Sequence, residues 1–61
     1  MKKVWLRFET ILQLADFVEV MAMTKYTIDR ISNIIVCELG EADIELAKRS
    51  YHAKLLRAQF S

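Results

Sequence analysis

The sequence predicts a small α+β domain with the element order βαββα, a three-stranded sheet and two helices packed on one of its faces. Residues 4–9 alternate between apolar and polar side chains, which indicates a strand. Residues 11–23 carry apolar side chains at helical spacing, and two further strand-like stretches precede the glycine at position 40. We expect one domain, residues 1–61, and a complete small protein.

The first strand and the first helix have clear local signals. Alternation in the first strand places Trp5 on the more polar side, opposite the side that should be buried. Thr10 can cap the following helix, with Gln13 three positions later as in a capping box. The apolar spacing predicts that this helix continues to about residue 23.

Residues 25–39 predict a pair of strands joined at Ser32-Asn33, because asparagine tolerates a positive φ. The continuous apolar run 34–37 indicates a strand covered on both faces, or a strand with one face on a partner. Cys37 lies in this run and is predicted to be a structural core thiol, since nothing beside it supplies the electropositive setting of a reactive one.

Gly40 ends the last strand, and acidic residues at 41 and 43 favour a helix start there. We predict that the second helix runs to about Gln59 and carries two apolar faces on opposite sides of its axis. One face can pack on the sheet, and the sequence leaves open which one. The second face consists of Ala42, Leu46, Ala53, Leu56 and Phe60.

Composition favours association as the function. The chain is 54% apolar, and so short a chain is marginally stable alone. One cysteine cannot form an internal disulfide, and the spacing of His and Cys offers no metal site. Oligomerisation is therefore the remaining way to stabilise so small a chain. We predict a homodimer, or a complex with another protein, through Trp5, Leu46, Leu56 and Phe60. The alternative is a frayed last helical turn that leaves Phe60 exposed.

The first rival is a small nucleic-acid-associated regulator. Lys48, Arg49, Lys54 and Arg57 form the basic cluster of the predicted second helix, although projection spreads them around its axis. The net charge of +1 does not favour an electrostatic nucleic-acid binder. Binding to DNA or RNA therefore stays the less favoured alternative.

The sequence predicts no catalytic, cofactor-binding or metal-binding residues and a protein that is not an enzyme. His52 lacks a ligand partner one turn away, and Glu45 is better explained as an ion-pair partner of Arg49. An enzyme subunit that completes a site across an interface is the second rival. The chain has neither a visible secretory signal nor an apolar run of ~18 residues, so we predict a cytoplasmic protein.

The stretch "LADFVEV" followed by "YTIDRISNIIVCE" resembles the early part of the histidine-containing phosphocarrier protein of the sugar phosphotransferase system. That family acts through a phosphorylated histidine before its first helix. Here the corresponding region, "RFETILQ", contains no histidine, and His52 does not match the motif. The family's last strand and helix have no counterpart either. The resemblance implies a related sheet and helix arrangement without phosphotransfer.

Overall fold

A computed structural model describes residues 2–60 as a four-stranded sheet with two helices. The elements are β1 (Lys2–Arg7), α1 (Ile11–Val20), β2 (Tyr26–Asp29), β3 (Ile34–Leu39), α2 (Glu41–Ser50) and β4 (Lys54–Phe60). The strand order is β2-β3-β1-β4, and every neighbouring pair is antiparallel.

The α+β class fits this structure, but the predicted βαββα order with a three-stranded sheet is wrong. Residues 54–60 form a fourth strand beside β1 instead of extending the second helix. Each helix connects two strands that run in the same direction and are separated by one strand between them. This is the split βαβ, or ferredoxin-like, topology. The two strands that flank α1 do not pair directly, because β3 lies between β1 and β2.

The second helix ends at Ser50 because the chain turns sharply after it. The backbone N–H groups of Tyr51 and Ala53 both donate to the carbonyl of Ala47, at 3.2 and 3.1 Å. His52 between them has a φ of 55°, in the left-handed region that ends a helix. His52 is therefore an exposed turn residue and not a mid-helix residue.

Two local predictions at element ends are confirmed. Thr10 caps α1, since its hydroxyl accepts from the backbone N–H of Gln13 at 3.1 Å. Asn33 has the expected positive φ, 57°, directly before β3, but the connection is a four-residue turn, 30–33, and not a tight one at Ser32-Asn33. At the start of α2, the Lys2 ammonium bonds the Glu41 carboxylate, which lowers the pKa of Glu41 below its ordinary value. That contact joins α2 to the first residue of β1.

Both helices pack on the same face of the sheet. Leu14 and Phe17 of α1 and Ile44 and Ala47 of α2 are buried in one cluster with the inward side chains of β1 and β3. The α2 face that meets the sheet is therefore the one that carries Ile44 and Ala47. The inward side chains of the two central strands are Val4, Leu6, Ile35, Cys37 and Leu39.

An aromatic cluster fixes the turn that leads into β4. The Phe17 ring lies 5.3 Å from both the Phe8 ring and the Tyr51 ring, measured between centroids. The Tyr51 hydroxyl donates to the Asp16 carboxylate at 2.8 Å, which joins the end of α2 to α1. The turn at 51–53 is thus held by packing and by a hydrogen bond.

Strand β4 contains a β-bulge. Trp5 pairs with Arg57 and Leu6 pairs with Leu55, so Leu56 is an extra residue on β4. Leu55 packs against the core, whereas Leu56 is 45% exposed. The bulge therefore separates two adjacent leucines into an inward and an outward one.

Candidate functional site

The face of the sheet opposite the helices is the candidate site, and we call it the open face. Strand register arranges its side chains in three rows across the sheet. The first row is Glu38, Lys3 and Gln59; the middle row is Thr27, Val36, Trp5 and Arg57; the last row is Asp29, Ile34, Arg7 and Lys54. All of these side chains are exposed or half-buried, whereas the central side chains of the opposite face are buried.

Trp5 lies at the centre of the open face. The Lys3 ammonium lies 5.4 Å from the centroid of its ring, and the Arg57 guanidinium lies 4.9 Å from it. Both distances are within the range of cation–π attraction. The half-buried side chains of Val36 and Ile34 continue the apolar centre across β3. The open face thus has an aromatic and aliphatic centre with charged groups around it.

The charges on the open face are divided between its two halves. Strands β1 and β4 carry Lys3, Arg7, Lys54 and Arg57, and we call their side the basic half. Strands β2 and β3 carry Asp29 and Glu38, and we call their side the acidic half. The strands of the open face thus carry four cations on one half and two carboxylates on the other.

Arg7 and Lys54 are directly opposite each other on β1 and β4. Like charges in this arrangement destabilise a sheet. The ion pairs found among residues 2–60 include neither side chain. The basic half therefore holds positive charge that a negatively charged group could neutralise.

The predicted interface residues do not share one surface. Trp5 and Leu56 lie on the open face and at its β4 edge. Leu46 lies on α2, in the helical layer, and is 37% exposed. The prediction that the second apolar face of a long helix carries the interface is wrong, because the helix stops before Leu56. The Phe60 side chain lies outside the part of the chain that the structure describes.

The predicted nucleic-acid contacts are divided in the same way. Lys48 and Arg49 lie on α2, where their nitrogens are 3.7 and 3.6 Å from the Glu45 carboxylate. The predicted Glu45–Arg49 pair is thus confirmed. Lys54 and Arg57 lie on β4, on the open face. The four residues therefore lie on two different elements, α2 and β4, and their role as nucleic-acid contacts stays a prediction.

An open cleft of about 390 Å³ lies at the end of the sheet where β1 stops and β4 begins. Arg7, His52 and Lys54 line it together with Phe8, Glu9 and Asn33. Cationic groups of this kind can attract a small anion. The described residues that line the cleft offer neither a thiol nor a hydroxyl nucleophile. We therefore treat the cleft as an extension of the basic half.

Cys37 faces the core and is 5% exposed, which confirms the prediction of a core thiol. Burial raises the pKa of this thiol to about 11, so it stays protonated at neutral pH. Within residues 2–60, no group of three or more His, Cys, Asp or Glu side chains could hold a metal ion. None of the helices described is both long and apolar enough to cross a lipid bilayer.

Sequence reasoning missed most of the open face, although a signal for it was present. Alternation in β1 places Lys3 and Arg7 on the same side as Trp5. Val36 could not be assigned to a face, because the run 34–37 is apolar throughout. No family model, curated protein or solved structure matches the chain. The resemblance to phosphocarrier proteins stays a prediction.

Proposed function

We propose that this protein works by association and not by catalysis, and that its open face binds the open face of a second copy. The observation that carries this proposal is the position of Trp5, Val36 and Ile34 at the centre of a sheet face that neither helix covers. A sheet with one apolar face against helices and a second apolar centre facing outward has more surface to bury than one chain covers.

The chemistry of the centre suits a protein interface. Tryptophan and arginine are enriched among the residues that contribute most to binding, and such residues cluster at the middle of an interface. Trp5 and Arg57 are stacked there, and polar groups such as Thr27 and Gln59 lie toward the rim. An apolar centre with a polar rim is the usual anatomy of an interface between proteins.

The size of the open face is also sufficient. A stable interface buries about 800 Å² on each partner. That area is about a fifth of the accessible surface of 4301 Å². The chain measures 27 × 21 × 20 Å, so one broad side makes up about this share of its surface. Full coverage of the open face therefore reaches the lower range of stable dimers.

The test is the solution mass, measured by light scattering on a size-exclusion column over a range of concentrations. We expect a dimer for the wild type and a weaker dimer for Leu56→Asp. Leu46→Asp is the matched control, because it puts the same charge on a leucine of similar exposure in the helical layer. Trp5→Ala should weaken the dimer at least about 30-fold, since truncation of a central tryptophan costs about 2 kcal/mol or more.

Circular dichroism must first show that each variant is folded, so that a loss of the dimer is not caused by unfolding. A wild type that stays monomeric at millimolar concentration would refute the proposal. A dimer that Leu46→Asp breaks and Leu56→Asp leaves intact would move the interface to the helices.

Single-stranded nucleic acid is the second candidate partner, and the stack of Lys3, Trp5 and Arg57 favours it. Bases stack on aromatic side chains of open sheets, and nearby cationic side chains contact the phosphate groups of the backbone. The acidic half argues against it, since Asp29 and Glu38 would repel a backbone that crosses the sheet. This alternative is tested by titrating the protein with a single-stranded oligonucleotide at low and high salt and following the fluorescence of Trp5. If the fluorescence is not quenched at low salt, nucleic-acid binding by the open face is refuted.

A cytoplasmic location is part of the same proposal. Cys37 is a free buried thiol, and a reducing compartment keeps such a thiol from oxidation. Fractionation of the native host, with detection by an antibody against the chain, tests this point, and recovery outside the cytoplasm contradicts it.

A further inference from the structure

We infer that the two copies stack with a two-fold axis parallel to the strands, so that the basic half of each sheet lies on the acidic half of the other. This inference rests on the proposed association and adds its geometry. Homodimers commonly have two-fold symmetry, in which the same patch on both copies must complement itself. The division of charge on the open face decides how that can happen here.

A two-fold axis in the plane of contact and parallel to the strands exchanges left and right across the sheet. The order β2-β3-β1-β4 of one copy then lies over the order β4-β1-β3-β2 of the other. Each row of side chains lies over the same row of the second copy, in reverse order. The axis passes between β1 and β3, beside the pair Trp5 and Val36 in the middle row.

This arrangement places opposite charges over each other at both ends of the strands. In the first row, Lys3 lies over Glu38 of the second copy. In the last row, Lys54 lies over Asp29 of the second copy, and symmetry repeats each contact. Stacked sheets cross at about 30°, which displaces the outer contacts by a few ångströms that a lysine side chain can span.

The apolar centre matches as well. Trp5 lies over Val36 of the second copy, and each of these contacts occurs twice around the axis. Thr27 lies over Arg57, so the guanidinium that stacks on Trp5 meets a hydroxyl and not another cation. The half-buried side chains of Trp5 and Val36 thus meet at the centre of the middle row, whereas Arg7 in the last row lies over Ile34 of the second copy and not over an opposite charge.

An axis perpendicular to the strands gives the opposite result. Each strand would then lie over itself, and the first row would lie over the last. Lys3 would face Arg7 of the second copy, and Arg57 would face its own symmetry mate. Like charges across an interface repel each other and disfavour the wrong partner or the wrong orientation. The charge pattern therefore selects the axis parallel to the strands.

The inference also accounts for one member of the unneutralised pair Arg7 and Lys54, because it gives Lys54 a carboxylate partner. These like charges are opposite each other on one sheet, and the ion pairs among residues 2–60 leave both unpaired. The carboxylate of Asp29 accepts backbone bonds from Ile31 and Ser32 through Oδ1. Its position at the end of β2 lets a cation approach from the open face. In the stacked dimer that cation is Lys54 of the second copy.

Two charge-reversal variants test this geometry. Lys54→Glu places a carboxylate over Asp29 of the second copy, and Asp29→Lys places an ammonium over Lys54, each twice per dimer. We expect each variant alone to dimerise about tenfold more weakly than the wild type. Mixed in equal amounts they should form a heterodimer, because each chain then supplies the charge that the other has lost.

Sedimentation equilibrium gives the two homodimer constants, and native mass spectrometry counts homodimers and heterodimers in the mixture. Asp29→Asn is the matched control, since an amide oxygen still accepts the bonds of the turn while the charge is removed. Circular dichroism of every variant confirms that it is folded before its mass is interpreted.

The outcomes separate the geometry from the association itself. A wild-type monomer refutes the association and this inference together. A wild-type dimer whose charge variants self-associate as tightly as the wild type, or mix at random, refutes the axis and leaves the association standing. A predominant heterodimer supports the axis parallel to the strands.

Discussion

Replacement of Phe17 by alanine is the sharpest test of how the helices hold β4 in place. Phe17 is fully buried, and its ring contacts the rings of Phe8 and Tyr51 at 5.3 Å each. Removal of a buried phenylalanine costs about 3–5 kcal/mol. A domain of 61 residues has a total free energy of unfolding of about 3–9 kcal/mol. Phe17→Ala should therefore remove at least about a third of the free energy of unfolding.

Phe17→Leu separates the contribution of the ring contacts from that of the buried side-chain volume. Leucine restores most of the aliphatic volume but loses both ring contacts, each of which contributes about 0.5–1.5 kcal/mol. We expect Phe17→Leu to destabilise the fold by about 1–3 kcal/mol. Leu12→Ala on the same helix is the control, because Leu12 is 79% exposed and such changes alter stability by less than about 0.5 kcal/mol.

Urea unfolding followed by circular dichroism measures all three variants. Each must be measured at several protein concentrations, because the proposed association would add a concentration-dependent share to the stability of the folded state. A cost below about 1.5 kcal/mol for Phe17→Ala would mean that the aromatic cluster does not support the turn as described. A cost for Leu12→Ala equal to that of Phe17→Leu would contradict the assigned burial.

Three further predictions concern single groups. The bond from Tyr51 to Asp16 raises the pKa of Tyr51 above its ordinary value of 10.0, so its stabilisation is full below that pH and is lost as the pH rises through the folded pKa. Tyr51→Phe should therefore flatten the alkaline loss of stability in urea titrations, and an unchanged alkaline loss would contradict the bond to Asp16. Asn33→Gly should stay within about 0.5 kcal/mol of the wild type, whereas Asn33→Val should cost about 1–2 kcal/mol in the same assay, because a branched side chain resists a left-handed backbone. Cys37 should react with a thiol reagent at pH 8 far more slowly than free cysteine, and labelling at the free rate in native buffer would contradict its burial.

Local signals predicted the first four elements, because each is encoded by residues close together. Thr10 caps α1, Asn33 provides the turn before β3, and Gly40 ends that strand. The ends were less accurate, since α1 stops at Val20, three residues before the prediction. These elements are the ones in which spacing, turn chemistry and burial all agree.

The last strand was mistaken for helix because of its bulge. The extra Leu56 moves the inward positions of β4 from alternate residues to Leu55 and Ala58, which are three apart as on a helix. Leucine, lysine, arginine, alanine and glutamine all favour helices, and neither glycine nor proline marks the turn before the strand. The turn residue His52 adopts a positive φ that its side chain does not signal.

The candidate site depends on that last strand. With β4 read as helix, Leu46, Leu56 and Phe60 were placed on one apolar helix face by their spacing, and Trp5 was added from the more polar side of the first strand. The structure places Trp5 and Leu56 on neighbouring strands and Leu46 in the helical layer. The division of charge across the sheet could not be predicted, because it requires the strand order.

The bulge in β4 also limits how far assembly can grow. A sheet edge with free backbone groups invites the addition of further strands, and a bulge or a short, charged edge prevents this. Here one edge strand is bulged and carries Lys54 and Arg57, and the other, β2, has four residues and ends in Asp29. Growth by strand addition into fibrils is therefore disfavoured at both edges. In the proposed dimer two open faces cover each other, so assembly would end at a closed pair, and more protein would give more pairs instead of longer polymers.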